Sequence, residues 1–172
     1  MRSSKSLSAQ DYVESLGLIS HPEGGYFRET FRAGSLPMTT KGKTDDASPA
    51  MHLTNAVKPD GKTKRVGGGK RNMLTSIYYC LTSDSPRQWW ANNMSDHIHY
   101  WHGGGALTYH LVHPDGSYER CVLGPRADKG HVLQLIVKGG SFKCAHLEPG
   151  SGDFVLLGEG VAPGFDFRDF AF

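Results

Sequence analysis

The 172-residue sequence predicts an all-β fold carrying one short N-terminal helix, and two observations predict it. The first is composition: 22 glycines, 9 prolines, 8 phenylalanines, 7 tyrosines and 3 tryptophans suit many short strands joined by tight turns. The second is spacing. Strand-like runs recur at short intervals: LTSIYYCL (74–81), RQWWANN (87–93), HIHYW (97–101), ALTYHLVH (106–113), SYERCVL (117–123), HVLQLIV (131–137), SFKCAHL (141–147) and DFVLLGEGV (153–161). Turn signals such as His113-Pro114-Asp115-Gly116 and Lys138-Gly139-Gly140 separate them, the pattern of a sandwich or barrel.

The helix is expected just after Ser8. Ser8 and Asp11 form a capping-box pattern with Asp in place of Glu, and Tyr12, Val13, Leu16 and Ile19 follow near helical spacing until Gly17 ends the turn. Such a helix would pack on the outside of the barrel. The run GYFRETF (25–31) alternates Tyr26, Arg28 and Thr30 against Phe27, Glu29 and Phe31, the period of a strand with unlike faces. Residues 33–71 show no clear period and gather Lys58, Lys62, Lys64, Arg65, Lys70 and Arg71. They read as a partly mobile loop insertion in a single domain spanning 1–172, and as a solvated loop, since no aromatic residue is interleaved to stack bases. The closing Phe165, Phe167, Phe170 and Phe172 are expected to seal one end of the barrel, with Asp166 and Asp169 bonding backbone amides.

Formal charge is +2, from 19 basic and 17 acidic residues, so no overall field favours nucleic acid or an anionic membrane. The first twenty residues lack the apolar core of a signal peptide, and no apolar run approaches the ~20 residues of a membrane helix. Cys80, Cys121 and Cys144 are odd in number and lack CxxC spacing, which argues against a disulfide framework and a cysteine zinc site. The expectation is a soluble, reduced, cytoplasmic protein with neither nucleic-acid nor membrane partners.

Asp96-His97-Ile98-His99-Tyr100-Trp101-His102 is the sharpest local feature. On a strand, His97, His99 and Trp101 share one face, and a His-x-His pair suits either two metal ligands or paired acid–base work. TSIYYCL sets Ser76, Tyr78 and Cys80 opposite Ile77, Tyr79 and Leu81, so Tyr78 is either a pocket hydroxyl or a satisfied core tyrosine. Arg28 or Glu29 could hold a substrate oxygen, though only one can face inward. Gln134, on an otherwise apolar strand, needs a partner, either a ligand or a backbone carbonyl. His21, His52, His113 and His131 adjoin turns or lie in the insertion, and read as structural or exposed.

HPEGGYFRET (21–30), TSIYY (75–79) and VAPGFDFRDF (161–170) closely resemble the conserved blocks of a cupin-superfamily domain family of unassigned function, related in fold to the sugar-nucleotide epimerases. The resemblance covers about residues 11–172, with 33–71 outside it. It implies a cupin double-stranded β-helix (jelly-roll barrel), a homodimer, and a ligand cavity inside one end of the barrel. The centre departs from the family pattern: Ala91 replaces a His, His97 a Glu, His99 a Trp and Tyr100 a His. Metal-binding cupins use two His, a Glu and a distant His; at those positions this chain carries Ala91, Asn93, His97 and, in the second motif, Lys143. No metal and no cofactor are therefore expected. A recruited metal would need His97, His99 and a third group such as His110, His146 or Gln134.

By strand parity, Trp89, Ala91, Asn93, His97, His99 and Trp101 should line the cavity. The expected function is a metal-independent isomerase, epimerase or dehydratase (lyase) acting on a small-molecule substrate, with His97, His99 and Tyr78 moving protons. Trp89, Asn93, Trp101, Arg28, Glu29 and Gln134 would bind the substrate. The alternatives are a ligand-binding barrel without turnover and a metal-dependent enzyme with a recruited histidine site.

Overall fold

The computed structural model describes residues 7–38, 56–57, 63–64 and 69–172. Helix α1 spans Ala9–Ser15, and its capping box is formed: the Asp11 N–H donates to Ser8 Oγ (3.2 Å) and the Ser8 N–H to Asp11 Oδ2 (2.8 Å). Gly17, at φ 59°, ends it. Ile19, expected on the helix, instead starts a strand and is exposed.

The strands in chain order are β1 (Ile19–Ser20), β2 (Tyr26–Arg32), β3 (Ser35–Met38), β4 (Ala56–Val57), β5 (Thr63–Lys64), β6 (Gly69–Asn72), β7 (Thr75–Thr82), β8 (Arg87–Asn93), β9 (Asp96–Gly104), β10 (Leu107–Val112), β11 (Tyr118–Leu123), β12 (Gln134–Val137), β13 (Phe142–Leu147), β14 (Phe154–Ala162) and β15 (Phe170–Ala171). They form a six-stranded sheet, β1-β2-β7-β14-β9-β12, and a five-stranded sheet, β11-β10-β13-β8-β15, with every ladder antiparallel. The two sheets face each other as a jelly roll. Within the expected insertion, β3 pairs with β6 and β4 with β5, so this stretch is not wholly loop. The rest of it, with His52, Lys58, Lys62 and Arg65, lies outside the described residues.

Alternation builds the core. Tyr79 and Leu81 on β7, Leu107, Tyr109 and Leu111 on β10, Ala145 and Leu147 on β13, and Val155 and Leu157 on β14 meet between the sheets. The opposite face of β7 and β14 presents Cys80 and Leu156 to α1, where Tyr12, Val13 and Leu16 cover them. Burial pushes the Cys80 thiol up to about 12, so it packs as a small apolar group. All three cysteines are free.

A bulge in β8 matters most for the site. Ala91 pairs with Lys143 and Gln88 with Ala145, so Trp89 and Trp90 together oppose Cys144 alone. The extra residue reverses parity below Ala91: Gln88, Ala91 and Asn93 point inward, while Trp89 is 62% exposed.

At the C-terminal end, Asp166 accepts from the Arg168 N–H (2.9 Å), as expected. Among the described residues the Asp169 side chain bonds no backbone amide; both its oxygens take the buried Arg71 guanidinium, at 2.6 and 2.9 Å. The ion pair ties β6 to the turn that carries Phe165, Phe167 and Phe170. Arg71, expected in a solvated basic loop, is thus a buried structural cation.

Candidate functional site

A cavity of about 310 Å³ opens at one end of the barrel. Its mouth is largely apolar, formed by Phe27, Ile77, Phe165, Phe167, Phe170 and Phe172 with the Glu29–Arg32 pair at the edge; its inner end is polar, with His21, Glu23, Gln88, Asn93, His97, Lys143 and Glu159. Phe167 and Phe172 are 77% and 70% exposed, so the aromatic segment rims the opening and does not close it as expected.

His97 reaches the wall from β9, and Glu159 from the neighbouring β14, through the register that pairs Glu159 with His99 and Val161 with His97. Glu159 Oε1 lies 2.5 Å from His97 Nδ1, and Oε2 lies 3.6 Å from His99 Nδ1. Burial alone would raise the Glu159 carboxyl, but the Lys143 ammonium, His99 and the bond from His97 together hold it well below the usual range. An ionised carboxylate only accepts, so His97 Nδ1 carries the proton that faces Glu159, and Nε2 is the ring nitrogen turned away from the carboxylate. That Nε2 is buried without a hydrogen-bond partner among the described residues, as are His99 Nε2, Asn93 Nδ2 and Gln88 Oε1.

His99 lies behind this pair. It is 0% exposed, its ring stacks on His97 at 5.9 Å, and the Tyr109 hydroxyl lies 3.1 Å from its Nδ1. It is not part of the cavity wall. Burial pushes His99 down to about 3, with Glu159 opposing and Lys143 and His97 reinforcing, so its imidazole is neutral near pH 7. Tyr109 is pushed well up by burial and by Glu159, and keeps its proton.

Lys143 projects inward from β13, where Lys143, Ala145 and Leu147 share the buried face. Its Nζ lies 3.6 Å from Glu159 Oε1 and 3.9 Å from Glu23 Oε2, and Gln88 Nε2 donates to the same Glu23 oxygen at 2.5 Å. Glu23 is held by the HPEGG turn. Gly24 there has φ +100°, and a Cβ would sit 2.1 Å from the Arg87 carbonyl, so only glycine allows the approach that lets Glu23 O accept from the Trp89 N–H (2.7 Å). His21, expected to be structural, also lines the cavity, and burial lowers its basicity.

Of the residues expected at the site, Ala91, Asn93, His97 and Glu29 line the cavity, Glu29 at the mouth and paired with Arg32 (2.5 Å). The others lie elsewhere. Tyr78 is on the outer face of β7 with the helix-covered cluster, and its neighbour Tyr79 faces the cavity, donating its hydroxyl to Gly24 O (2.6 Å). The β8 bulge turns Trp89 outward. Trp101 does face inward, but packs in the closed core and donates Nε1–H to Gly105 O (2.9 Å). Arg28 is exposed beside Gly17, opposite Glu29. Gln134 is exposed on β12, where Leu135 and Val137 take the inward positions.

Glu159, Lys143, Glu23, Gln88 and His21 were not singled out from sequence. Two had a readable signal: Glu159 is the charged member of the alternating Val155, Leu157, Glu159, Val161 face, and Lys143 that of its own apolar face.

His97, His99 and Glu159 bring three possible ligand atoms within 4.8 Å of one another, the one such group among the described residues. Of the third ligands considered from sequence, His110 and His146 stack on each other in an outer groove, and Gln134 is exposed. The donor set does not fit a divalent ion as it stands. His97 Nδ1 is already bonded to Glu159, and the Lys143 ammonium lies against the same carboxylate oxygen.

A jelly-roll barrel with a polar-ended cavity at one end defines a small-barrel protein of the cupin type. The chain belongs to the family described as cupin superfamily (DUF985), whose model matches residues 10–172. It is 37% identical over 168 residues to the uncharacterized protein YML079W of Saccharomyces cerevisiae, covering 96% of this chain and 75% of that one. Among solved structures it is similar to a hypothetical protein from Leishmania major (TM-score 0.71, 25% identity, 96% of this chain and 86% of that one). It is also similar to protein SO0799 from Shewanella oneidensis (TM-score 0.70, 25% identity, 96% of this chain and 84% of that one). Among the described residues, no helix is long and apolar enough to cross a membrane.

Proposed function

We propose that this barrel is a metal-independent acid–base enzyme, an isomerase or epimerase, in which His97 moves the proton. The observation that carries the reading is the His97 Nδ1 to Glu159 Oε1 contact of 2.5 Å, which leaves a buried, unpartnered Nε2 on a cavity-wall histidine. An imidazole fixed in this tautomer is a general base aimed by a carboxylate. His97 Nε2 takes a proton from carbon beside a carbonyl, the electron pair moves onto the carbonyl oxygen, and the Lys143 ammonium stabilises the charge formed there. In a β,γ-unsaturated carbonyl compound the enolate is conjugated, and return of the same proton to the γ carbon, with the double bond moving to the α,β position, completes an isomerisation. His99, off the wall and neutral, is a positioning residue behind Glu159.

Charge narrows the substrate. The buried end carries Glu23 and Glu159 against Lys143, a formal excess of one negative charge, while the five phenylalanines at and near the mouth offer apolar surface. A neutral, largely apolar carbonyl compound suits this better than a carboxylic acid or a phosphate. Such a molecule would be the partner; a homodimer is part of the same proposal on the family resemblance, and a cytoplasmic location on the free cysteines Cys80, Cys121 and Cys144.

Proton exchange tests it. Benzylacetone incubated with the protein in deuterium oxide should lose hydrogen beside the carbonyl faster than in buffer, and folded His97→Gln should lose that acceleration. Acceleration retained in His97→Gln removes His97 from the mechanism. Saturable binding without exchange in the wild type replaces the enzyme with a ligand-binding barrel, a reading that the apolar mouth favours.

A further inference from the structure

Lys143 has a second consequence, which concerns what the cavity refuses. His97, His99 and Glu159 come together as three donor atoms spread over no more than 4.8 Å, all on buried residues. Two imidazoles and a carboxylate are a competent ligand set for zinc or cobalt if water supplies the remaining position. Beside them, however, stands a cation that the chain supplies itself. Lys143 Nζ lies 3.6 Å from Glu159 Oε1 and 3.9 Å from Glu23 Oε2, and all three side chains are buried.

We infer that the Lys143 ammonium is the built-in counter-ion that keeps a divalent metal out of this cavity, and that removing it converts His97, His99 and Glu159 into a metal site. A divalent ion on Glu159 would sit within a few ångströms of the ammonium, in a buried environment that screens the repulsion poorly. It would also have to displace the His97 Nδ1 proton from its carboxylate. With Lys143 neutralised, Glu23 and Glu159 lose the cation between them, and a divalent ion becomes the group that compensates both. The groups facing the ammonium belong to separate elements: Glu159 comes from β14, and Glu23 from the turn before β2. Neither carboxylate is an accident of one strand's sequence.

The inference rests on the metal-free reading of the cavity, and the test separates the two. Cobalt(II) is titrated into chelator-treated protein that carries no polyhistidine tag, with its visible absorption and equilibrium dialysis as readouts. Wild type should show no saturable binding with histidine-ligated absorption. Lys143→Ala should bind one equivalent at least ~100-fold more tightly than any wild-type binding, and Lys143→Ala combined with His97→Ala should lose it again. Lys143→Met, which preserves side-chain volume, repeats the test if the alanine variant fails to fold. Stoichiometric tight binding by the wild type overturns both this inference and the metal-free enzyme. A folded Lys143 variant that binds no better than the wild type overturns the assignment to Lys143 alone and leaves the proton-exchange reading standing.

Discussion

Glu159 lies 2.5 Å from the Nδ1 of His97, and neither side chain has more than a few per cent of its surface in water. The carboxylate therefore sets the tautomer of the imidazole, and the imidazole provides one of the few partners that compensate the buried carboxylate. Damage to either should be felt in both chemistry and stability.

Glu159→Gln keeps the shape and removes the charge. The His97 tautomer is then no longer dictated by an anion, and proton exchange in benzylacetone should fall about 10²–10⁴-fold, the usual worth of a positioned base. Unfolding in urea, followed by tryptophan fluorescence, should show a loss on the order of 3 kcal/mol, because Lys143 is left buried with one counter-ion fewer.

Acidification should weaken the fold in two stages. His99 is lowered to about 3 from its ordinary 6.5, so below 6.5 the unfolded chain takes up a proton that the folded chain does not. Stability from this group is complete above pH 6.5 and is lost as pH falls, at up to about 1.4 kcal/mol per pH unit. Glu159, held well below its ordinary 4.5, adds a second loss beginning below that value. Urea melts from pH 8 to pH 4 should show both, and His99→Phe should abolish the slope between 6.5 and 4.5 attributable to His99.

Arg71 and Asp169 should behave as one unit. Replacing either with alanine leaves the other's charge buried and should cost on the order of 3 kcal/mol, whereas replacing both should cost less than the sum. Hydrogen exchange should show the amides of β15 and of the turn before it opening first, since that segment hangs on the ion pair.

Substitutions outside the cavity should be silent where sequence parity alone expects an effect. Trp89→Ala and Tyr78→Phe should leave the exchange rate within about twofold, while Gln88→Ala, which frees Glu23 from its amide partner, should lower it. An unchanged Gln88→Ala would remove the Glu23 arrangement from the site.

The strand pattern was legible because short apolar runs recur between turn signals, β13 alternating cleanly while β7 and β14 are covered on both faces, and His97 was legible because two histidines on a strand stand out from their neighbours. The second histidine misled. His99 shares the face of His97, but that face runs from cavity wall to closed core within two residues, and parity cannot tell depth. Tyr78 was misread for Tyr79 because either tyrosine satisfies the alternation of TSIYYCL until α1 is seen to cover one face. Glu159 and Lys143 were written in the sequence as single charges on apolar faces and became meaningful only when β13 and β14 were set across the barrel from each other. Glu23 and His21 follow no period at all; a glycine turn holds them, and its direction is set by contact with β8.

The single extra residue in β8 works as a switch in the sequence's own arithmetic. Were the bulge flattened with both tryptophans kept, regular alternation from Ala91 would carry the Trp89 indole into the barrel and the Gln88 amide out to the surface. The polarity of the cavity floor is thus controlled by the register of one strand as much as by the identity of its residues, and a barrel of this design could acquire a different substrate through a shift of pairing that replaces no side chain at all.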